Sequence, residues 1–349
     1  MSQKNSSGSS ESLATYRAFA IRAKEDGVLI ELPLREPTDN EIRIKVAYVG
    51  ICGSDLHYYF TGANGSFAIK EPLIPGHEVS GTIDLDPLGK FAQGTPVAIF
   101  PAQGGEPISG LADRPHLWRG VRYFGSAATS PHTQGAMAEY IYVQREMVRP
   151  LPPGLDVKSG ALAEPLAVAI HGAKLAGNLS GKKILISGAG PIGLLMIGAA
   201  RAAGATEITS TDLFDEALAR ARQMGANKVI NISQANVAPD YYDVIFECSG
   251  NVRAVNSAIT SVQRGGIIVQ VGMISAGEQL VDIGLIVTKE IKYLGAFRFN
   301  NEMDEALTLL AQESSLNLCI TDQFPLEQIR EAFELARDSR RSGKVVLAC

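Results

Sequence analysis

The spacing of apolar and polar positions changes character along the chain. Between about residues 15 and 143, short alternating runs at 17–21, 41–49, 79–84, 95–100 and 138–143 are separated by Gly- and Pro-containing turns. That pattern predicts an all-β, barrel-type domain. Pro150, Pro152, Pro153 and Gly154 then mark a boundary. Beyond it, Lys183–Ser187 reads as an apolar strand, and 191–203 as a helix with Pro191 at its start and Gly204 past its end. Strands are expected at 207–211, 228–230, 243–247, 266–271 and 291–294, with helical material between several of them and a helix at 215–224 closed by Gly225. Strands alternating with helices imply βαβ units and a parallel sheet, so the fold class is α/β. A helix after Glu302, another at 326–337 and a strand at 344–347 complete the chain.

Composition narrows the function classes. With 349 residues, 46% of them apolar, the chain has material for about two cored domains. The net charge of −5 and the lack of a basic run leave no electrostatic footprint for nucleic acid. The longest uncharged stretch, 184–200, is interrupted by Ser187, Pro191 and glycines and falls short of the ~20 residues of a membrane span. Cys52, Cys248, Cys319 and Cys349 are too scattered for a small disulfide framework, which points to a reducing, cytoplasmic setting. The first 13 residues, rich in Ser, Asn and Gly, lack the apolar core of a signal peptide and read as a loose tail.

Gly188-Ala189-Gly190-Pro191-Ile192-Gly193 is a GxGxxG loop between a strand and a helix. Its glycines allow a tight turn and close approach of a pyrophosphate, which the free N–H groups of the helix start would receive. Asp212 lies 19 residues past Gly193, where a carboxylate accepts from ribose hydroxyls and repels a 2′-phosphate. The expected cofactor is therefore NAD in preference to NADP. Cys248, past the strand at 243–247, falls on the edge where such cofactors bind, as a buried, inert thiol.

Cys52, His57, His77, Glu78 and Glu164 supply thiolate, imidazole and carboxylate groups, a mixed set suited to Zn²⁺. Three protein ligands would leave a fourth position open, the catalytic arrangement. Taken alone, the spacing fits unrelated core and surface residues better than a metal site. The ordered run Cys52-Gly53-Ser54-Asp55-Leu56-His57-Tyr58, Gly76-His77-Glu78, Glu164-Pro165-Leu166-Ala167-Val168 and the glycine loop resembles the zinc-dependent medium-chain dehydrogenases, in particular their polyol branch. The resemblance spans nearly the whole chain after the tail. It implies a GroES-like β-barrel-type catalytic domain over 1–157 (1–14 as the tail), a Rossmann doubly wound parallel-sheet NAD-binding domain over 158–298, and a return segment, 299–349, that completes the first.

By that resemblance Cys52 and His77 are zinc ligands, and Glu78 and Glu164 are the two acids at the metal, their order open. Ser54 relays the alcohol proton through the cofactor ribose to His57, zinc acts as a Lewis acid on the substrate hydroxyl, and hydride passes to the nicotinamide. Val271, Phe297 and Arg298 join the cofactor contacts, and Tyr58 and Phe124 line the substrate cleft. The segments 122–127 and 295–299 resemble the L-idonate 5-dehydrogenase group, which implies a sugar-acid substrate whose carboxylate Arg122 or Arg298 would meet. Neutral polyols such as sorbitol or xylitol, and L-galactonate, are the alternatives. A nucleotide-binding protein without dehydrogenase activity is the rival from another class, and it would need none of Cys52, Ser54, His77 and Glu78. One departure stands out: 101–122, where the family carries four clustered cysteines on a structural zinc, contains none. The expectation is one catalytic zinc and no structural zinc, with the lobe held by packing around Trp118 or by a subunit contact. A homodimer or homotetramer is expected, with the sheet edge near 266–271 as a contact.

Overall fold

The computed structural model describes residues 14–349. Apart from Ala14, the expected tail lies outside the described residues. Six parallel strands form one sheet in the spatial order Lys228–Asn231, Glu207–Asp212, Lys183–Ser187, Tyr242–Glu247, Val262–Gln270, Lys292–Gly295. In chain order this is 3-2-1-4-5-6, the doubly wound arrangement, which reverses direction beside Lys183–Ser187 and opens a crevice at the carboxyl ends there. The strand Lys183–Ser187 is apolar without alternation because both its faces are covered. Ile184 and Ile186 join the core under helices Ala163–Ala176 and Pro191–Ala202, while Leu185 joins the core under helix Val252–Ser261.

The expected edge near 266–271 is not an edge. Val262–Gln270 is paired on both sides, and the sheet ends on Lys292–Gly295 and Lys228–Asn231. The sequence pattern identifies strands but not their neighbours, and the final strand adds itself beyond the fifth.

A second sheet runs Val148–Pro150, Pro96–Ile99, Glu78–Leu85, Glu41–Gly50, Lys344–Ala348, Ile320–Pro325, with Tyr140–Gln144 also on Glu41–Gly50. The C-terminal strand thus returns to lie antiparallel to Glu41–Gly50, with Val346 opposite Gly50. The domain is not all-β. Helix Gly53–Thr61 interrupts it, started by Asp55 and ended by Gly62 at φ +77°. Its aromatic run Tyr58-Tyr59-Phe60 has strand-like composition, but tertiary burial of Tyr58 and Tyr59 decides the outcome. The hairpin partner Asp26–Pro33 is a further element that the sequence pattern did not predict.

The cysteine-free lobe, 101–122, is fastened at several points. Ala102–Gln103 pairs with Arg122–Tyr123, and Glu106 bridges to Arg119. The half-buried Trp118 donates its indole N–H to Leu111 O at 2.8 Å. His116 packs its ring against His171 of helix Ala163–Ala176, 5.0 Å between centroids, and His171 Nδ1 lies 3.2 Å from Glu302 Oε1. Asn300 donates to Asp113 O at 2.8 Å. Among the described residues, no helix is long and apolar enough to cross a membrane.

Candidate active site

Strand register builds the first cluster. Gly50 is opposite Glu78, which places Cys52, at the start of helix Gly53–Thr61, beside His77 and Glu78. A Cβ at position 50 would come within 2.0 Å of Glu78 Oε2, so only glycine leaves room for that carboxylate. Asp55 is wholly buried and ties the two segments together. Its Oδ2 accepts from Cys52 N at 2.9 Å and its Oδ1 from Gly76 N at 3.0 Å. One ligand atom from each of Cys52, His77 and Glu78 lies within 4.8 Å of the other two.

These residues fit a metal ion. His77 Nδ1 and Glu78 Oε2 are fully buried and have no hydrogen-bond partner, a state that costs ~1–3 kcal/mol per group unless a ligand supplies the partner. The other Glu78 oxygen is held by Lys344 Nζ at 2.6 Å, both side chains buried, and Lys344 also donates to Ile51 O at 3.0 Å. A thiol, an imidazole and a carboxylate oxygen without a partner make a donor set suited to Zn²⁺. Burial opposes charge on His77, but Cys52, Asp55 and Glu164 around it prevail and push its pKa up to about 10.

Glu164, in the first turn of helix Ala163–Ala176, is buried at the same cluster but outside the trio of candidate ligands. Burial raises its pKa, against the pull of His77. Its Oε1 accepts from the hydroxyl of Tyr123. Tyr123 is buried, with its ring edge 5.5 Å from His77 and the Arg298 guanidinium 4.0 Å above its face. Burial and the neighbouring Glu164 hold the Tyr123 hydroxyl in its neutral form. Sequence reasoning passed over Tyr123, Asp55 and Lys344. Alternation across Arg122–Tyr123, one side chain out and one in, was the available signal for the first.

The other expected site residues divide. Ser54 is half-buried and His57 exposed on the same helix, three residues apart and therefore on neighbouring turns of one side. Tyr58 and Phe124 are nearly inaccessible. They sit in the core of the β domain, 1% and 7% exposed, and the Tyr58 hydroxyl accepts from Ala127 N. Arg122 is exposed on its short strand, its Nε 3.4 Å from Thr133 Oγ1. Arg298 is half-buried at a left-handed φ of +54°, stacked on Tyr123 and Phe297.

At the crevice of the parallel sheet, Gly188 N donates to Thr211 O, and a Cβ on Gly193 would lie 1.9 Å from Gly188 O, so helix and strand meet only with glycine there. Gly190 faces open space, and the helix starts at Pro191, which has no N–H, and Ile192 with no side-chain cap. Asp212 Oδ2 accepts from Ala189 N at 2.8 Å, so the acid touches the glycine loop directly. Cys248 and Val271 flank the next strand ends, Cys248 N on Ser187 O and Val271 N on Glu247 O. Cys248 is half-buried, and burial and Glu247 push its thiol well up.

Two family descriptions match this chain: an alcohol dehydrogenase GroES-like domain at residues 38–153 and a zinc-binding dehydrogenase at residues 191–312. L-idonate 5-dehydrogenase (NAD(P)(+)) of Escherichia coli is 36% identical over 316 residues, covering 88% of this chain and 92% of that protein. Sorbitol dehydrogenase of Bos taurus is 33% identical over 349 residues, covering 95% and 96%. The chain belongs to the zinc-dependent medium-chain dehydrogenases. Among solved members of this family, E. coli L-idonate 5-dehydrogenase superposes with a TM-score of 0.90 at 32% identity, over 96% of this chain and 99% of that one. A zinc-binding dehydrogenase of Sinorhizobium meliloti 1021 bound to NADP gives 0.86 at 25% identity, over 96% and 100%. As a member of this family the chain is an alcohol dehydrogenase-type enzyme with a GroES-like domain and a Rossmann domain, acting on small-molecule alcohols.

Proposed function

We propose that the enzyme oxidises a secondary alcohol of a sugar acid with NAD, converting L-idonate to 5-keto-D-gluconate. The observation that carries the sugar-acid reading is Arg298. Among the described residues its guanidinium makes no hydrogen bond and no ion pair, yet it is partly desolvated between two aromatic rings next to the Cys52 cluster. A planar cation held open in that way suits a carboxylate. Arg122, exposed on the short strand beside Tyr123, is the weaker candidate. The 36% match to an L-idonate enzyme agrees with this reading. The sorbitol dehydrogenase relatives support a neutral polyol as the second reading. Oxidation rates for L-idonate, L-galactonate, sorbitol and xylitol separate the two. Sugar-acid turnover that falls at least ~10-fold more than sorbitol turnover in Arg298→Met supports the proposal. Equal rates on uncharged polyols refute it.

In this reading Cys52, His77 and Glu78 hold a single catalytic zinc and Glu164 is the outer acid. When bound, zinc supplies Lewis acidity to the substrate hydroxyl and NAD accepts the hydride. Ser54 takes the alcohol proton on the cleft side of its helix. From Ser54 it would pass by way of the cofactor ribose to His57, which is exposed one turn on and releases it to solvent. Gly188, Gly190 and Gly193 admit the pyrophosphate, and Cys248, Val271, Phe297 and Arg298 surround the nicotinamide end. Asp212 accepts from the adenosine ribose and disfavours NADP, so Asp212→Ala should narrow the NAD-to-NADP preference. The reading divides the chain at 157 and 298, places it in the cytoplasm as four free cysteines suit, and takes a homodimer or homotetramer as the assembly. The lobe needs no second zinc, because packing and hydrogen bonds already tie it down. Metal analysis at one zinc per chain supports that, and two would refute it.

A further inference from the structure

The proposed function leaves open why two acids at one metal site should take different roles. Glu78 and Glu164 are both buried near His77, yet only Glu78 belongs to the compact trio. The difference lies in what occupies their oxygens. Glu78 has one oxygen on Lys344 and one orphaned. Glu164 has its Oε1 engaged by Tyr123, a residue placed by pairing of Ala102 with Tyr123 at the end of the cysteine-free lobe. The same lobe grips the same helix again through His116 on His171. Tyr123 is therefore clamped between lobe and helix, with its ring against the His77 imidazole and under Arg298.

We infer that Tyr123 is a positioning residue that keeps Glu164 out of the metal's ligand set. Its hydroxyl holds one carboxylate oxygen and fixes the side chain's orientation, so the ion keeps three protein ligands and an open place for the substrate oxygen. Without that hydrogen bond, rotation of Glu164 would bring a fourth protein ligand and close the position on which catalysis depends. Groups that orient ligands from outside in this way typically change metal affinity or activity ~10–100-fold when removed. The inference rests on the zinc reading above.

The test is Tyr123→Phe, which removes one oxygen and leaves the ring in place. Wild type and variant are stripped of metal, reloaded with Co²⁺ and compared by visible absorption. Zinc retention against a chelator and steady-state kinetics are measured on the zinc forms. The expected result is a changed Co²⁺ spectrum, metal held at least as tightly as in wild type, and kcat down at least ~10-fold with KM for NAD unchanged. In a Glu164→Ala background the same substitution should leave the spectrum unaltered, since the partner is gone. An unchanged spectrum and kcat in Tyr123→Phe, faster loss of metal, or an equal effect in the Glu164→Ala background would overturn the inference. Wild-type protein that takes up no Co²⁺ or Zn²⁺ would instead overturn the metal reading itself.

Discussion

Replacing Lys344 with methionine keeps most of the side-chain volume and deletes the counter-charge of Glu78. Both partners are almost inaccessible, at 2% and 1% exposure, and their 2.6 Å contact joins residues 266 positions apart. Removing one member of a buried ion pair costs ~3–5 kcal/mol, because the other charge stays desolvated. At ~2 °C per kcal/mol for a chain of this size, metal-free Lys344→Met should melt ~6–10 °C below metal-free wild type. Zinc changes the comparison, since a cation next to Glu78 Oε2 compensates the same carboxylate. The deficit in the zinc-loaded variant should therefore be less than half that of the metal-free one, and zinc should raise the melting temperature more in the variant than in wild type. Thermal melts followed by circular dichroism, with chelator and with saturating zinc, read both numbers. A metal-free deficit under ~1 kcal/mol, or an equal deficit with and without zinc, refutes the reasoning.

Gly193→Ala forces a Cβ to within 1.9 Å of Gly188 O. It should raise KM for NAD at least ~10-fold and lower stability by ~1–3 kcal/mol through overpacking, measured by kinetics and melts. Asp86 is held by bidentate Arg145 at 2.8 and 2.7 Å and by Leu88 N and Phe91 N, with Arg145 the main cause of its lowered pKa. Its native-state pKa lies below the unfolded value, so its contribution is full above pH ~4 and fades as pH falls through the native value. Asp86→Asn should cost ~1–3 kcal/mol at pH 7 and progressively less in urea titrations carried below pH 4. A deficit that stays constant down to pH 2 would contradict this.

What the sequence made legible was local or carried by a motif. Lys183–Ser187, the glycine loop and Asp212 form one continuous βαβ segment, so their order along the chain nearly fixes their order in space. Cys52, His77 and Glu78 lie in a recognisable motif, and strand register gathers them. Lys344, Tyr123 and Asp55 gain their roles only from pairing between distant segments, for which alternation and spacing carry no signal. Helix Gly53–Thr61 carries little sequence signal, because its aromatic run has strand-like composition and only the tertiary burial of Tyr58 and Tyr59 favours the helix. The sheet edge shifted by one strand for the same reason, since neighbours in a sheet are a property of the whole fold.

Anomalous diffraction at the zinc absorption edge, from crystals grown with zinc and NAD, tests the central claim most directly. The account predicts one peak per chain, about 2.3 Å from Cys52 Sγ and about 2.0–2.2 Å from a His77 nitrogen and from Glu78 Oε2, with Glu164 beyond bonding distance. A peak elsewhere, or none at this trio in protein that turns over substrate, would contradict it.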